Sequence, residues 1–543
     1  MNLLRRLPLT AIVVVPLAAI SIFFVLPFAG MIHRGLWPEG GFDAGPALAT
    51  LARSRTLSVL WFTAYSAGLA TAGAVLLGIP AAYCCYRLRF PGRDFVRTLA
   101  LVPFVLPTVV VGVAFSRLFA DGGPLSGLGS EQGPAAIVTA MIFMNVGVVM
   151  RTVGAAWASL DVRREQAAAA LGASPAQVWW TVTLPALAPV VVAAASVVFL
   201  FCATSFGIVL ILGGLRYANV ESEIFQLTTQ ELDLGSAAAL SLLQLLLIVV
   251  LLALVGRVRR QQLDHAVAPA RSPRGRDLPL LAVVAATFGF LALPIVNLLS
   301  ASLRRGGDWS FGNYRALAGT GGHTLVVPAT QALANSLVIA LEATAMAMCL
   351  GAMVAYVVSR RPADRRLARL VSVFDGVFML PLGVSAVTVG FGFLITLDRP
   401  PLDLRTSSVL IPIAQAMVAL PLVVRTVAPV WRGIDDRQRQ AAASLGAGGW
   451  RVFTTVDLAI GWRPLLAAAG FSFAVSLGEF GATSFLARSD HPTLPVVIYR
   501  LLGHPGVDNF GMAMAASALL AAATAGTILL VERLRVGALG AFG

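Results

Sequence analysis

The sequence contains no lysine, so all 40 basic residues are arginine. A nucleotide-binding P-loop needs a Gly-Lys-Ser/Thr ending to hold phosphate, and this chain has none to offer. Charge of either sign is scarce, at 12% of residues against about 25% in soluble globular proteins. Cysteines are few. Cys84, Cys85, Cys202 and Cys349 all fall in apolar runs, lack metal or disulfide spacing and read as small buried hydrophobes. The five histidines, His33, His265, His323, His491 and His504, are scattered and suggest no metal site. What is abundant is apolar: 58% of 543 residues, with a mean hydropathy of +0.83. Together these exclude a soluble enzyme, a disordered chain and a secreted disulfide scaffold, and leave a multi-span membrane protein.

The net charge of +14 does not signal nucleic acid, which would need basic residues clustered on a polar surface. Here the arginines occupy short breaks between long apolar runs. With ~20 apolar residues needed per crossing, twelve spans are expected, near 9–32, 57–83, 98–120, 134–158, 186–214, 236–256, 278–301, 331–358, 371–396, 409–431, 463–487 and 511–531. The run after Arg5 and Arg6 is too long for a signal-peptide core and reads as an uncleaved first span. Arginines concentrate in every second break, as at Arg87, Arg89, Arg93 and Arg97, at Arg163 and Arg164, and at Arg360, Arg361, Arg365, Arg366 and Arg369. The alternate breaks mix in acids such as Glu221, Glu223, Glu231 and Asp233. The positive-inside rule then puts both termini and the arginine-rich breaks in the cytoplasm.

The chain also repeats itself. Residues 149–173 and 423–447 agree at 14 of 25 positions at an offset of 274. The same offset maps Leu106-Pro107 onto Leu380-Pro381, Phe206-Gly207 onto Phe480-Gly481, and Ile224 onto Ile498, while Leu77-Gly78 and Leu350-Gly351 differ by 273. Two six-span halves follow, 1–257 and 278–543, joined by a cytoplasmic linker at 258–277. Six is even, so both halves face the same way, with a pathway expected between them.

The best-matched segments are two arginine-side loops, near 161–185 and 435–459, although loops normally diverge fastest. One reads Gln166-Ala167-Ala168, Leu171-Gly172, then Leu184-Pro185, and the other Gln440-Ala441-Ala442, Leu445-Gly446, then Leu458-Ala459. Small alanines allow close approach of a partner, Gly172 and Gly446 suit a sharp turn between short helices, and Trp179, Trp180, Trp450 and Phe453 supply apolar anchors. The pattern resembles the "EAA" loop of ABC importer permeases, the binding-protein-dependent inner-membrane components: Glu-Ala-Ala, three residues, Gly, then a downstream Leu-Pro. It departs from that pattern at Gln166 and Gln440, which replace the Glu, and at Ala459, which replaces the Pro.

The resemblance covers nearly the whole chain. It implies an all-α integral membrane protein of the type I ABC importer permease fold, in the plasma (inner) membrane of a prokaryote. In that family each loop forms a coupling helix that docks in a groove of an ATPase subunit. Two ATPase copies are therefore expected as partners, with ATP and Mg held there and no cofactor bound by this chain. A periplasmic or lipid-anchored binding protein would deliver the substrate. Fused double-length permeases of this size resemble thiamine-type and iron(III)-type importers, and the stretches at 205–214, 221–244 and 476–500 look like both. Thiamine or its phosphates is the favoured reading.

Polar groups inside apolar runs are candidate sites. Ser205, Phe206, Glu479 and Phe480 are candidates for the pathway, although Glu479 also reads as a structural carboxylate hydrogen-bonded within the bundle. Arg151 and Arg425, matched by the repeat, are candidates for a gate or a brace, or for snorkelling to the interface. Glu342 and Asn145 read as packing contacts, and Asn335 and Ser336 as caps of the eighth span. No Ser/His/Asp, metal or phosphate constellation supports a membrane enzyme. An ion-coupled secondary transporter would call for matched acids or histidines at mid-membrane, whereas Glu479 aligns with Ser205.

Overall fold

The computed structural model of the chain describes residues 3–37, 41–214, 216–258, 271–320, 324–360, 364–398, 403–504 and 506–536. Residues 259–270 of the expected linker, His265, His323, Arg361 and the last seven residues therefore lie outside the described residues. The described chain is helical apart from one short hairpin, Arg304–Arg305 with Asp308–Trp309, and a single bridge between Leu88 and Arg271.

Ten helices among the described residues are long and apolar enough to cross a membrane: α1 Thr10–Leu36, α2 Ser54–Arg87, α3 Pro134–Ala158, α4 Pro175–Ala203, α5 Leu234–Leu251, α6 Leu278–Ser302, α7 Ala329–Val358, α8 Leu410–Gly433, α9 Gly449–Leu477 and α10 Val507–Val531. The expected third and ninth spans are not continuous helices. Around 98–120 the chain forms Arg93–Val105 and Thr108–Phe119, bent by 97°. Pro107 forces Leu106 into an extended backbone and starts the next helix. Around 371–396 the chain forms Arg365–Met379, a tight turn Leu380–Gly383, and Ala386–Thr396. The break differs in detail: Ser385, not Pro381, caps the second piece, its hydroxyl accepting from the Thr388 N–H. The fifth and eleventh spans also stop short, at Ala203 and Leu477, and short helices Phe206–Leu212 and Gly481–Leu486 follow.

Close helix approach is built on small residues, as expected where lipid removes the hydrophobic drive between helices. A Cβ on Gly78 of α2 would lie 2.7 Å from the Val149 Cβ of α3. A Cβ on Gly351 of α7 would lie 2.6 Å from Val423 Cγ1 of α8. The two crossings use residues 273 and 274 positions apart.

The sequence halves are not the packing units, because each lends its first helix to the other. Ile20 and Phe24 of α1 are buried with Ala347, Val423 and Trp431 of α7 and α8. Val284 and Leu291 of α6 are buried with Ala74, Phe115 and Phe143 of the first half, and Phe290 packs edge-on to Phe143. The end of the linker is pinned to the first half. Arg271 exchanges backbone hydrogen bonds with Arg87 and Arg89, and its guanidinium bonds Asp277 and the Tyr83 hydroxyl. The Asp277 bond holds the Arg271 pKa above its ordinary value despite partial burial.

Several expectations change. Asn335 and Ser336 do not cap α7, which is preceded by Pro328; Ser336 accepts the Leu494 N–H and Asn335 donates to the Pro492 carbonyl, tying α7 to the Leu494–Leu502 helix. Asn145 is a packing contact, donating to the Met141 carbonyl and to Cys202. Glu342 is not: it lies on the exposed face of α7. Cys349 is likewise exposed, unlike the other three cysteines.

Candidate functional site: two shoulder loops and the cavity between the halves

The loop after α3 begins with Asp161, whose carboxylate accepts the Arg163 N–H and caps the helix Val162–Ala170. Four alanines carry this helix to Leu171, and Gly172 turns the chain with φ +89°, a left-handed conformation that side chains resist. Ser174 and Gln177 then form a reciprocal cap for the start of α4. The loop after α8 repeats the helix cap and the glycine turn but not the reciprocal cap, since Gly448 precedes α9 without a side-chain cap. Asp435 caps Asp436–Ser444 through the Arg437 N–H, and Gly446 turns with φ +86°. Both α4 and α9 then pass through one π-helical turn, Trp179–Thr183 and Phe453–Asp457.

The loops expose matched glutamines, alanines and leucines, while their exposed tryptophans, Trp180 and Trp450, stand at different places in the repeat. Gln166, Ala167, Gly172, Gln440, Ala441 and Gly446 are exposed, and Ala168 and Ala442 are half-buried. Leu171 is 91% exposed and Leu445 90%, with Trp180 at 66% and Trp450 at 77%. Most of each apolar side chain lies outside the chain's own packing, with Trp450 also meeting Phe453 at 5.6 Å, which marks the loops as contact surfaces.

Behind each loop sits an aromatic trio. Trp157 stacks on Trp179 with ring centroids 5.3 Å apart and meets Tyr83 at 5.2 Å. At the corresponding places, Trp431 meets Phe453 at 6.0 Å and Tyr356 at 6.5 Å. Each trio is joined by an ion pair. In the first, Glu165 bonds Arg87 at 2.5 Å and accepts from the Thr183 hydroxyl at 3.0 Å. In the second, Asp457, buried at 1% exposure, bonds Arg360 at 2.9 Å and Arg439 at 2.8 Å. Burial opposes the charge on Arg439, but hydrogen bonds to Asp457 and Asp436 hold its pKa above the ordinary value.

Arg151 and Arg425 take no part in these contacts. They line a cavity of about 830 Å³ between the halves, with Arg463, Phe104, Trp462 and Phe471. The α9 helix lines this cavity from Trp462 to Phe471. Beyond its end, Phe480 stacks on Phe206 from the other half, centroids 5.3 Å apart and planes within 22°. Phe225 and Tyr499 flank the pair at 5.4 and 5.5 Å. Glu479 is not open to this space. Its carboxylate accepts the Ala482 and Thr483 N–H groups and the Thr483 hydroxyl, capping Gly481–Leu486. The backbone of Ser205 is similarly engaged, its carbonyl accepting from Asn219.

One residue placed by the sequence in an outer break is instead fully buried. Glu221 opens the helix Val220–Thr229, receives a hydrogen bond from Gln244, and receives another from the Ser385 hydroxyl of the second half at 2.8 Å. The one signal for this was the match of Ile224 to Ile498, which places 220–229 opposite the apolar Leu494–Leu502 helix.

Residues 74–264 match the family described as binding-protein-dependent transport system inner membrane component. Relatives extend over almost the whole length. The chain is 28% identical to the thiamine transport system permease protein ThiP of Brucella suis over 537 residues, 94% of each chain. It is 28% identical to ThiP of Escherichia coli strain K12 over 466 residues, 82% of this chain and 84% of that one. It is 23% identical over 551 residues to a probable ABC transporter permease protein of Sinorhizobium fredii, covering 96% and 95%. Apolar helices, twin exposed loops and these matches define a multi-pass inner-membrane transport subunit. More narrowly, over nearly its whole length the chain is similar to the permease proteins of such transport systems.

Proposed function

We propose that this permease carries thiamine or its phosphate esters inward, driven by two copies of a separate ATPase seated on the loops at 161–185 and 435–459. In this reading the bent segments at 93–119 and 365–396 are the third and ninth crossings. Twelve crossings then form two parallel sets of six, 1–257 and 278–543, with both termini cytoplasmic. The observation that carries the reading is the pair of loops: Gln166, Ala167, Ala168 and Gly172 have counterparts in Gln440, Ala441, Ala442 and Gly446, and both copies present unpaired apolar side chains outward.

Alternating access follows from the space between the halves. In this reading the cavity bordered by Arg151 and Arg425 is the inward side of the pathway, and the stacked Phe206 and Phe480 are its outward gate. The described arrangement is then the inward-facing one. ATP-driven closure of the ATPase pair would push the two loops together and part the phenylalanines, admitting substrate from a binding protein. The relatives named for thiamine transport support the substrate. Three arginines in the cavity wall favour phosphate esters over the bare cation, and Phe104, Trp462 and Phe471 offer faces for an aromatic ring.

The test is uptake of labelled thiamine and thiamine monophosphate into proteoliposomes holding the permease, its ATPase and its binding protein. ATP should be required, and Leu171→Asp with Leu445→Asp should abolish co-purification of the ATPase while leaving the permease folded. Uptake driven by a proton gradient without ATP would overturn the mechanism, and ATP-dependent uptake of iron(III) but not thiamine would overturn the substrate.

A further inference from the structure

The two ion pairs behind the loops occupy the same three places with the charges rearranged. Glu165 and Arg439 correspond at an offset of 274, as do Thr183 and Asp457. Arg87 and Arg360 correspond at 273, the spacing that also relates Tyr83 to Tyr356 and Gly78 to Gly351. In the first half the acid stands on the loop helix and bonds across to Arg87 and Thr183. In the second half the acid stands on the return helix, at the position of Thr183, and the loop helix carries Arg439 where the first half has its acid. Both arrangements connect the same three elements: the end of α2 or α7, the loop helix, and the start of α4 or α9.

We infer that Arg87–Glu165–Thr183 and Arg360–Arg439–Asp457 are two equivalent braces, each locking a loop helix to two spanning helices so that loop and span move as one body. These are positioning residues: they touch neither the substrate nor the surface open to a partner. One carboxylate bonded to the arginine at the end of α2 or α7, not its place in the chain, is what the brace needs, because both arrangements supply it. The linker adds to the first brace, since Arg271 donates its backbone N–H to the Arg87 carbonyl at 3.0 Å. Without the brace, a push on Leu171 or Leu445 would bend the short helix at its glycine turn, not tilt the spans. The role in force transmission rests on the proposed coupling to an ATPase, whereas the brace itself does not.

The experiment installs the second arrangement in the first loop. Glu165→Arg alone sets two guanidinium groups against each other, Thr183→Asp alone sets two acids together, and the double variant recreates the pattern of Arg439 and Asp457. Amide hydrogen exchange over 162–172 in the full chain in nanodiscs, without partners, should rise at least tenfold in Glu165→Arg and return to within about threefold of wild type in the double variant. Unchanged exchange in Glu165→Arg, or a double variant no better than the single, overturns the brace. In proteoliposomes with the ATPase and binding protein, Glu165→Arg should hydrolyse ATP with at least fivefold less uptake per ATP, and the double variant should recover it. If exchange follows this pattern while wild-type uptake proves independent of ATP, the coupling reading fails and the brace stands. If wild-type uptake needs ATP and the single variant couples normally, the brace's part in force transmission is rejected.

Discussion

The two shoulder loops share their backbone but not their chemistry of attachment. Caps at Asp161 and Asp435, turns at Gly172 and Gly446 and the outward leucines coincide step for step. Behind them, the second ion pair is the deeper and more complete. Asp457 is 1% exposed and bonds two arginines, whereas Glu165 retains 23% side-chain exposure and bonds one. Among the described residues, Arg87 Nη1 is buried with no partner at all. Selection for a fixed outer surface and a fixed attachment point explains both facts, since it leaves the position of the acid free. The second loop is therefore tied by the larger number of ion pairs.

The largest expected effect tests that difference directly. Asp457→Ala removes the acid shared by Arg360 and Arg439, leaving Arg439 only the exposed Asp436, and should destabilise the chain by about 3–5 kcal/mol, the usual cost of breaking a buried ion pair. Glu165→Ala removes a part-exposed acid from one arginine, the buried Arg87, and should cost about 1–3 kcal/mol. Thermal unfolding of the purified chain in nanodiscs checks both. Equal losses would erase the asymmetry.

Much of this was legible in the sequence, and for physical reasons. Long apolar runs reported ten of the spans because hydrocarbon admits little else. The 25-residue match reported the loops because caps, glycine turns and outward alanines are local requirements. Leu106-Pro107 and Leu380-Pro381 marked where two spans break, but not that they would break, since proline is tolerated in many spanning helices. Pro189, Pro294 and Pro421 lie inside continuous helices here. The exchange of α1 and α6 between halves was invisible, because apolar faces carry no address. Glu221 was misplaced because its partners Gln244 and Ser385 are distant in the chain. The braces were missed because alignment pairs Glu165 with an arginine, and only the fold brings Thr183 and Asp457 beside them.

A middle-sized effect tests where the halves agree. Gly78→Ala and Gly351→Ala each drive a methyl into a valine at 2.7 and 2.6 Å. Each should cost about 1–3 kcal/mol, as overpacking does, and each should be relieved by removing its own valine's side chain, Cβ included, with Val149→Gly or Val423→Gly. Rescue by the other half's valine would show that the two crossings are not independent copies. Thermal unfolding of the four single, two matched double and two crossed double variants reads this out.

The smallest effect falls on the glycine turns, and it separates strain from contact. No atom lies within 4 Å of a Cβ built on Gly172 or Gly446, so a methyl there meets only open space. The cost of Gly172→Ala or Gly446→Ala is then the left-handed backbone alone, about 1–2 kcal/mol and the same in both loops. Unfolding of the chain without partners should show this small equal loss. A bulky residue such as Trp should cost no more than Ala in the isolated chain, because the surrounding space is empty, yet should block seating of the ATPase, measured by co-purification. A Trp variant that binds the ATPase as well as the Ala variant does would mean that the turn faces away from the contact. The shared geometry of the loops would then serve the fold and not a partner.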